Sequence, residues 1–426
     1  MKRIFITAIT FFTVLSLNAQ VTVNNELKNL IAQSFSYFPK VKEVQNTVVT
    51  AQEKVNLSEL NKFPDITADA SYAYVRPKVE IPLNGENFQF APVHNFSGAF
   101  NATYGLFDFG RLQANVQRSK DDLQYAKHNV DYTKSQLAYQ VAMIYYNVVY
   151  MQKAITIQDS VLSFLDENKK IVESQLKNGT ALRIDLLNIQ ASIDNEDNRK
   201  VDLQNSLQKQ LNLLEYTTGV KQANGTKFDF DINLVDVNSA LGVAQTNNLD
   251  FILAKDKIKQ AESDLAITKV ADKPFVGLKA GAGIKNGYVP YIDDMKFNYM
   301  AGVSFSMPIY NGGKNKQQQK LQQNIIKQNE MAVETLSSTY KKDIEQALTD
   351  IASNLARIKN TSGQTEQAQA AQVLATNRLK SGTGTNLEIT NASANVQRAA
   401  LTRLQYDYQL CLAKLELTRL MGYQYW

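Results

Sequence analysis

Two carboxylates, set at the same point of a stretch that the chain writes twice, are the side chains best placed for chemistry. Leu176 to Ile193 reads LKNGTALRIDLLNIQASI, and Leu379 to Val396 reads LKSGTGTNLEITNASANV. Both run Leu-Lys-x-Gly-Thr, then an acid (Asp185, Glu388), an aliphatic (Leu186, Ile389), an Asn (Asn188, Asn391) and an Ala (Ala191, Ala394). An acid in the first turn of a helix stabilises that turn by about 0.3–1 kcal/mol. Other constellations are missing. His94 and His128 lie in different elements with no metal-ligand spacing around them, and read as solvated. Gly281-Ala282-Gly283 lacks the strand–turn–helix context of a nucleotide fingerprint. There is no Gly-x-Ser-x-Gly and no Cys/His pair for covalent chemistry. The sequence therefore predicts no enzyme, no metal site and no cofactor.

The two stretches stand at a fixed offset (379 − 176 = 203), which recurs without a gap at Gly110/Gly313 and Gly219/Gly422. One structural unit has been built twice. Each stretch breaks a helix: Gly179 and Gly382 suit the left-handed C-cap conformation, and Thr180 is expected to cap the returning helix. The pair of helices then forms an antiparallel hairpin with the repeated motif at its tip.

The N-terminus sets the compartment. Lys2 and Arg3 precede an apolar run from Ile4 to Leu17, and Leu17-Asn18-Ala19 offers a small-residue cleavage site. Residues 1–19 read as a signal peptide cut before Gln20, since the run falls short of the roughly 20 residues that span a bilayer. Residues 20–239 and 240–426 are then the first and second structural repeats. The formal charge of +5 becomes +3 without Lys2 and Arg3, and the charges are interspersed. Nucleic acid needs clustered cations, so it is not the expected partner. The lone Cys411 makes no internal disulfide.

In each half a helical stretch ends before a proline and period 3.6 gives way to period 2. Asn24 to Asn61 has helical spacing, and Phe63-Pro64 ends it. Ile66, Ala68, Ala70, Tyr72 and Tyr74 then share one face. A loop with Pro77, Pro82, Asn84-Gly85 and Pro92 follows. Alternation resumes with Phe96, Gly98, Phe100, Ala102, Tyr104 and Leu106. The second half repeats this with Val276 to Ile284 and Tyr299 to Met307, after a helix from Leu249 to about Lys269. Strands of about 10 residues cross a bilayer when tilted. The apolar, aromatic-rich face fits lipid and the small polar face fits water; a half-buried hairpin of a soluble sheet is the other reading. The corners LFDFGR and PIYNGGK lead into long helices, of some 65 residues and about 100 Å. Leu137, Val141, Ile144, Val148 and Ile155 keep coiled-coil spacing, matched by Tyr340, Ile344, Ala347, Ile351 and Ile358. Lys221 to Asn238 reads as a polar, loop-like linker. Four strands close no barrel, bacterial barrels begin at about 8, and open edges are not tolerated in lipid. Three copies would supply twelve.

The duplicated corners, the strands that start at prolines and the two tips of the form Gly-x5-acid-aliphatic resemble the TolC-like outer-membrane efflux family over nearly all of the mature chain. The resemblance implies a mainly α fold with membrane β: a homotrimer whose 12-stranded β-barrel continues into a periplasmic α-helical barrel. It implies an exit duct for efflux or type I secretion in the outer membrane of a Gram-negative bacterium. Its partners would be outer-membrane lipid, a periplasmic adaptor and an inner-membrane transporter. Adaptor contact falls at Gly179, Thr180, Asp185, Leu186, Gly382, Thr383, Glu388 and Ile389. The pore constriction falls at Glu388, Asn391, Asp185 and Asn188. Glu388 and Asn391 stand where the archetype has two aspartates, so the double acidic ring is reduced to one. Gly384 and Leu379 stand where the archetype has gate-linking arginine and tyrosine, so any closed-state lock differs. Lys279 and Lys285 are candidates for a lumen position that affects ion preference; a solvated lysine near a rim is the other reading, and the preferred one for Lys285. A soluble periplasmic coiled-coil adaptor or scaffold is the competing reading; the aromatic strand faces argue for the duct.

Overall fold

The computed structural model describes residues 21–83 and 85–426; the leader read over 1–19 and Asn84 of the first turn lie outside the described residues. The described chain falls into two compact units. One comprises Lys42–Tyr132 and Leu249–Leu336, and the other the residues up to Val41 with Thr133–Asn248 and Ser337–Trp426.

The helical spacing from Asn24 to Asn61 resolves into two helices, α1 (Asn25–Tyr37) and α2 (Pro39–Leu60). Phe38 between them is extended, as the residue before a proline must be, and Pro39 takes the first helical position, where its missing N–H costs nothing. The rule that ends a helix before Pro64 thus also breaks one before Pro39, where the sequence predicts continuous helical spacing.

In the first unit, β1 (Asp65–Tyr74) leads into a small hairpin of β2 (Glu80–Leu83) and β3 (Glu86–Gln89), where the sequence predicted only loop. Pro82 is tolerated in β2 because this ribbon has just two strands and both are edges. β4 (His94–Phe107) then pairs antiparallel with β1. After α3 (Arg111–Lys177), α4 (Arg183–Thr218), α5 (Val237–Asn247) and α6 (Leu249–Val270), the strands β5 (Phe275–Lys285) and β6 (Lys296–Ser306) complete a sheet of order β1-β4-β5-β6. The two halves of the sequence thus meet at the β4–β5 ladder. At the corner after β4, Asp108 takes the N–H groups of Gly110 (3.0 Å) and Leu112 (2.6 Å) and so caps α3. Arg111 donates to the closing carbonyls of α6, Val270 at 3.2 Å and Ala271 at 2.9 Å. The α3–α6 contact in this unit is polar. Arg118 bridges Asp122 and Asp264, and Ser263 donates to Asp121 at 2.5 Å. His128 belongs to the same seam. It is not solvated as expected: its Nδ1 lies 2.5 Å from the buried Asp256 carboxylate and its Nε2 2.8 Å from Gln124.

α7 (Lys314–Lys380) and α8 (Asn386–Met421) close the element list. α3 and α7 are both 67 residues long, α4 and α8 both 36, and each start is displaced by the sequence offset (314 − 111 = 203). In the second unit, Leu137, Val141, Ile144 and Val148 of α3 are buried with Leu27, Leu30 and Ile31 of α1, Leu214 of α4 and Leu415 of α8. Tyr340, Ile344, Ala347 and Ile351 of α7 are buried likewise, while Ile155 and Ile358 are only half-buried. The stretch read as a linker has no regular structure before α5, yet it is pinned. Phe230 lies in the core, Thr22 and Asp231 form a β-bridge, and Asp229 accepts from Asn24 and Tyr146. α5 went unforeseen in sequence; Asp236 caps it, accepting from Asn238 N at 3.0 Å and Ser239 N at 3.1 Å. Cys411 sits in this core, and burial pushes its thiol up to about 12.

Candidate functional site

Two surfaces carry the functional reading: the sheet face in one unit and the paired helical tips in the other.

The register decides what the sheet presents. Ile66 is opposite Ala102, Ala68 opposite Phe100, Ala70 opposite Gly98 and Tyr72 opposite Phe96. The same row positions continue through Ala280, Ala282 and Ile284 of β5 to Ala301, Tyr299 and Phe297 of β6. Because side chains alternate along every strand, this register gathers the apolar residues of all four strands on one face. That face is unprotected: Phe100 is 68% exposed, Phe297 70% and Tyr299 81%. In water such a continuous patch is a liability; an interaction surface or a lipid surface is its physical use. No helix of the described chain is long and apolar enough to cross a membrane. The opposite face carries Asp65, Thr67, Asp69 and Ser71 of β1, with Ser97, Asn101, Lys279, Lys285, Lys296 and Asn298 on the neighbouring strands. Among the described residues β1 and β6 each have one neighbour, so both outer edges of the sheet are open there.

Both tips start alike. Gly179 and Gly382 adopt positive φ (74° and 73°), a region that costs other residues strain. Thr180 N then bonds to Gln175 O (2.9 Å) and Thr383 N to Arg378 O (3.0 Å), closing each long helix in a Schellman-type turn. Thr180 does not cap the next helix as expected. Its hydroxyl donates back to Gln175 O at 3.1 Å, and α4 begins three residues later, at Arg183, with Leu182 at the N-cap. Leu182 has no side-chain oxygen, so Asp185 supplies the capping instead, its carboxylate accepting from Leu182 N at 3.0 Å. At the second tip Thr385 is the N-cap and accepts from Glu388 N at 3.2 Å. Glu388 is thereby left to reach Arg378, at 3.4 Å. Gly384 fits where it does because a Cβ there would lie 2.8 Å from both Arg378 Cβ and Leu379 N.

The tips are joined to each other. Asn386 Nδ2 donates to Asp185 O at 2.9 Å and Gln175 Nε2 to Leu379 O at 2.8 Å. Val172, Leu379 and Ile389 form a small buried core, with Leu186 packed against it. Ile389 is therefore an internal support of the tip, fully buried, while Gly179, Thr180, Gly382 and Thr383 are exposed. Asn188 and Asn391 are exposed, one turn into their helices. Arg378, Thr385 and Asn386 were not singled out in sequence. Of these only Thr385 carried a readable signal, a capping residue three before an acid. Further along, a polar knot ties α3, α4 and α8: Gln158 Nε2 donates to Glu196 (2.8 Å), Gln397 Nε2 to the same carboxylate (2.6 Å), and Arg199 Nη1 closes on it at 2.7 Å. Among the described residues no group of His, Cys, Asp and Glu could hold a metal ion.

The sequence pattern described as "Outer membrane efflux protein" matches residues 17–220 and 240–423. Among solved structures, that of CusC, reported with the changes accompanying folding and transmembrane channel formation, superposes with a TM-score of 0.79. It is 18% identical over 94% of this chain and 92% of that one. The outer membrane protein VceC of Vibrio cholerae gives 0.76 at 18% identity, covering 93% of this chain and 96% of that one. The open-state MtrE outer membrane channel of Neisseria gonorrhoeae gives 0.75 at 17% identity, over 93% and 89%. At such identities the likeness speaks for the fold. No curated protein sequence matches the chain.

Proposed function

This chain belongs to the outer membrane efflux protein family, and from that premise we propose that it is the exit duct of a tripartite efflux or type I secretion system. The observation that carries the reading is the sheet, with one face of exposed aromatic and aliphatic side chains and two open edges. In hydrocarbon every backbone N–H and C=O must find a partner, so only a closed barrel can hold these strands. Three copies of a four-stranded sheet supply twelve strands, with the apolar face toward lipid and the polar face toward a water-filled bore. The long helices then form the periplasmic barrel. In chain terms this is a leader over 1–19 and two repeats, 20–239 and 240–426.

The tips are read as the contact for a periplasmic adaptor, with Gly179, Thr180, Gly382 and Thr383 presented outward and Leu186 and Ile389 holding the turns from within. Glu388 and Asn391, with Asp185 and Asn188, line the constriction. Energy comes from an inner-membrane transporter; the duct itself is passive. A soluble coiled-coil adaptor has no use for an exposed aromatic sheet face. The test is extraction. The protein is expected in the outer-membrane fraction, and in mild detergent as a trimer of a 47.8 kDa chain less its leader. Release as a soluble monomer by osmotic shock overturns the reading.

A further inference from the structure

The polar face of the sheet is not evenly charged. Its charges fall into rows across the strands, and the rows differ in how they are balanced. One row runs Asp65, Thr103, Lys279, Gly302 and contains an acid and a base. Another runs Asp69, Ala99, Gly283, Asn298, and its acid accepts from Thr67 (3.0 Å) and Asn101 (2.7 Å). The row farthest from α6 along β5 runs Ser71, Ser97, Lys285, Lys296. It holds two cations and no acid.

Lys285 and Lys296 are direct partners across β5 and β6, whose backbones lie about 4.8 Å apart in a ladder. Like charges placed opposite one another destabilise a sheet. Neither lysine forms an ion pair among the described residues, and Asp293 and Asp294 of the adjoining loop do not reach them. Instead each ammonium lies over a tyrosine ring of that loop, Lys285 over Tyr288 and Lys296 over Tyr291, both at 5.6 Å from the centroid. A ring face holds a cation in place without neutralising it. Beside them Ser71 and Ser97 put two hydroxyls 2.8 Å apart in the same row. Two ammonium groups resting on tyrosine rings and two hydroxyls on one polar face are the groups that take an oxyanion.

We infer that Lys285, Lys296, Ser71 and Ser97 form an anion-binding row at the loop end of the sheet, which makes the duct prefer small anions, inorganic phosphate among them, over cations. The inference rests on the duct reading, because only a closed bore brings the rows of several copies around one lumen and focuses their field. At the tips, by contrast, the Glu388 carboxylate already has a cation, Arg378, at 3.4 Å.

The test uses the full-length processed protein in planar bilayers under a potassium chloride gradient. The wild type is expected to give a reversal potential of anion sign, and millimolar inorganic phosphate should lower its chloride conductance. Lys285→Gln with Lys296→Gln should cut the anion-to-cation permeability ratio by about twofold or more and abolish the phosphate effect. Lys285→Arg with Lys296→Arg should preserve both, which separates charge from folding. Gln channels that conduct with an unchanged reversal potential overturn the inference and leave the duct standing. A wild type that forms no channel at all overturns the duct reading and this one with it. If the double Gln variant does not insert, Lys296→Gln alone is read: about half the shift is expected, and no shift overturns the row.

Discussion

The α3–α4 tip and the α7–α8 tip are built on helices of equal length, yet they divide their polar work differently. At the first, the acid is the cap: Asp185 takes the N–H of Leu182, a residue that can do nothing for its own helix start. At the second, a hydroxyl is the cap: Thr385 takes the N–H of Glu388, and the carboxylate of Glu388 turns to Arg378. The same acid position therefore holds a structural group in one copy and a spare one in the other. Duplication lets one copy keep the helix-starting role while the other gives it up to a neighbouring residue.

That contrast can be broken most forcefully at Gly384, whose place in the first repeat is held by Ala181 (384 − 181 = 203). Gly384→Ala puts a methyl 2.8 Å from Leu379 N and is expected to cost about 1–3 kcal/mol, seen as faster amide exchange across the second tip. Ala181→Gly should leave the first tip nearly as protected as before. Thr385→Ala comes next, at about 1 kcal/mol, with exchange speeding up in the first turn of α8 only. Asp185→Ala should do the same to α4 at roughly 0.3–1 kcal/mol. Equal loss of protection in α8 on replacing Glu388 would mean that the two acids do one job after all. The smallest effect on stability belongs to Glu388→Gln, since an exposed pair with Arg378 contributes about 0–1 kcal/mol. Its signature is electrical: a slight move of the reversal potential toward anions, with Arg378→Gln moving it toward cations.

What could be read from the sequence was whatever a short local rule controls. The strand faces were legible because period-2 alternation survives into the register, where Ile66, Phe100 and Tyr299 share a face. The hairpin lengths were legible because Gly179 and Gly382 stop helices that no proline interrupts. The break at Phe38 obeyed a rule that had been used elsewhere in the chain. α5 was passed over although Val237, Ala240, Leu241 and Ala244 stand at helical spacing, because the stripe spans only two turns, is built partly of alanines and is interrupted by Gly242. Thr180 misled because the exit angle of a Schellman turn, and not the nearest hydroxyl, fixes where the next helix begins. Arg378 and Glu388 are ten residues apart across a turn, a spacing that no helical periodicity brings together. His128 was misread for the same reason, its partner Asp256 lying on a different helix.

The buried sulfur of α8 has a practical consequence. Cys411 is the chain's single cysteine, it is closed off from solvent, and burial keeps its thiol protonated at neutral pH, hence unreactive toward maleimides. A cysteine introduced at position 180 or 383 is then the sole sulfur that a dye can modify. Labelling before and after an adaptor is added reads the accessibility of each turn separately, with no native thiol to remove first.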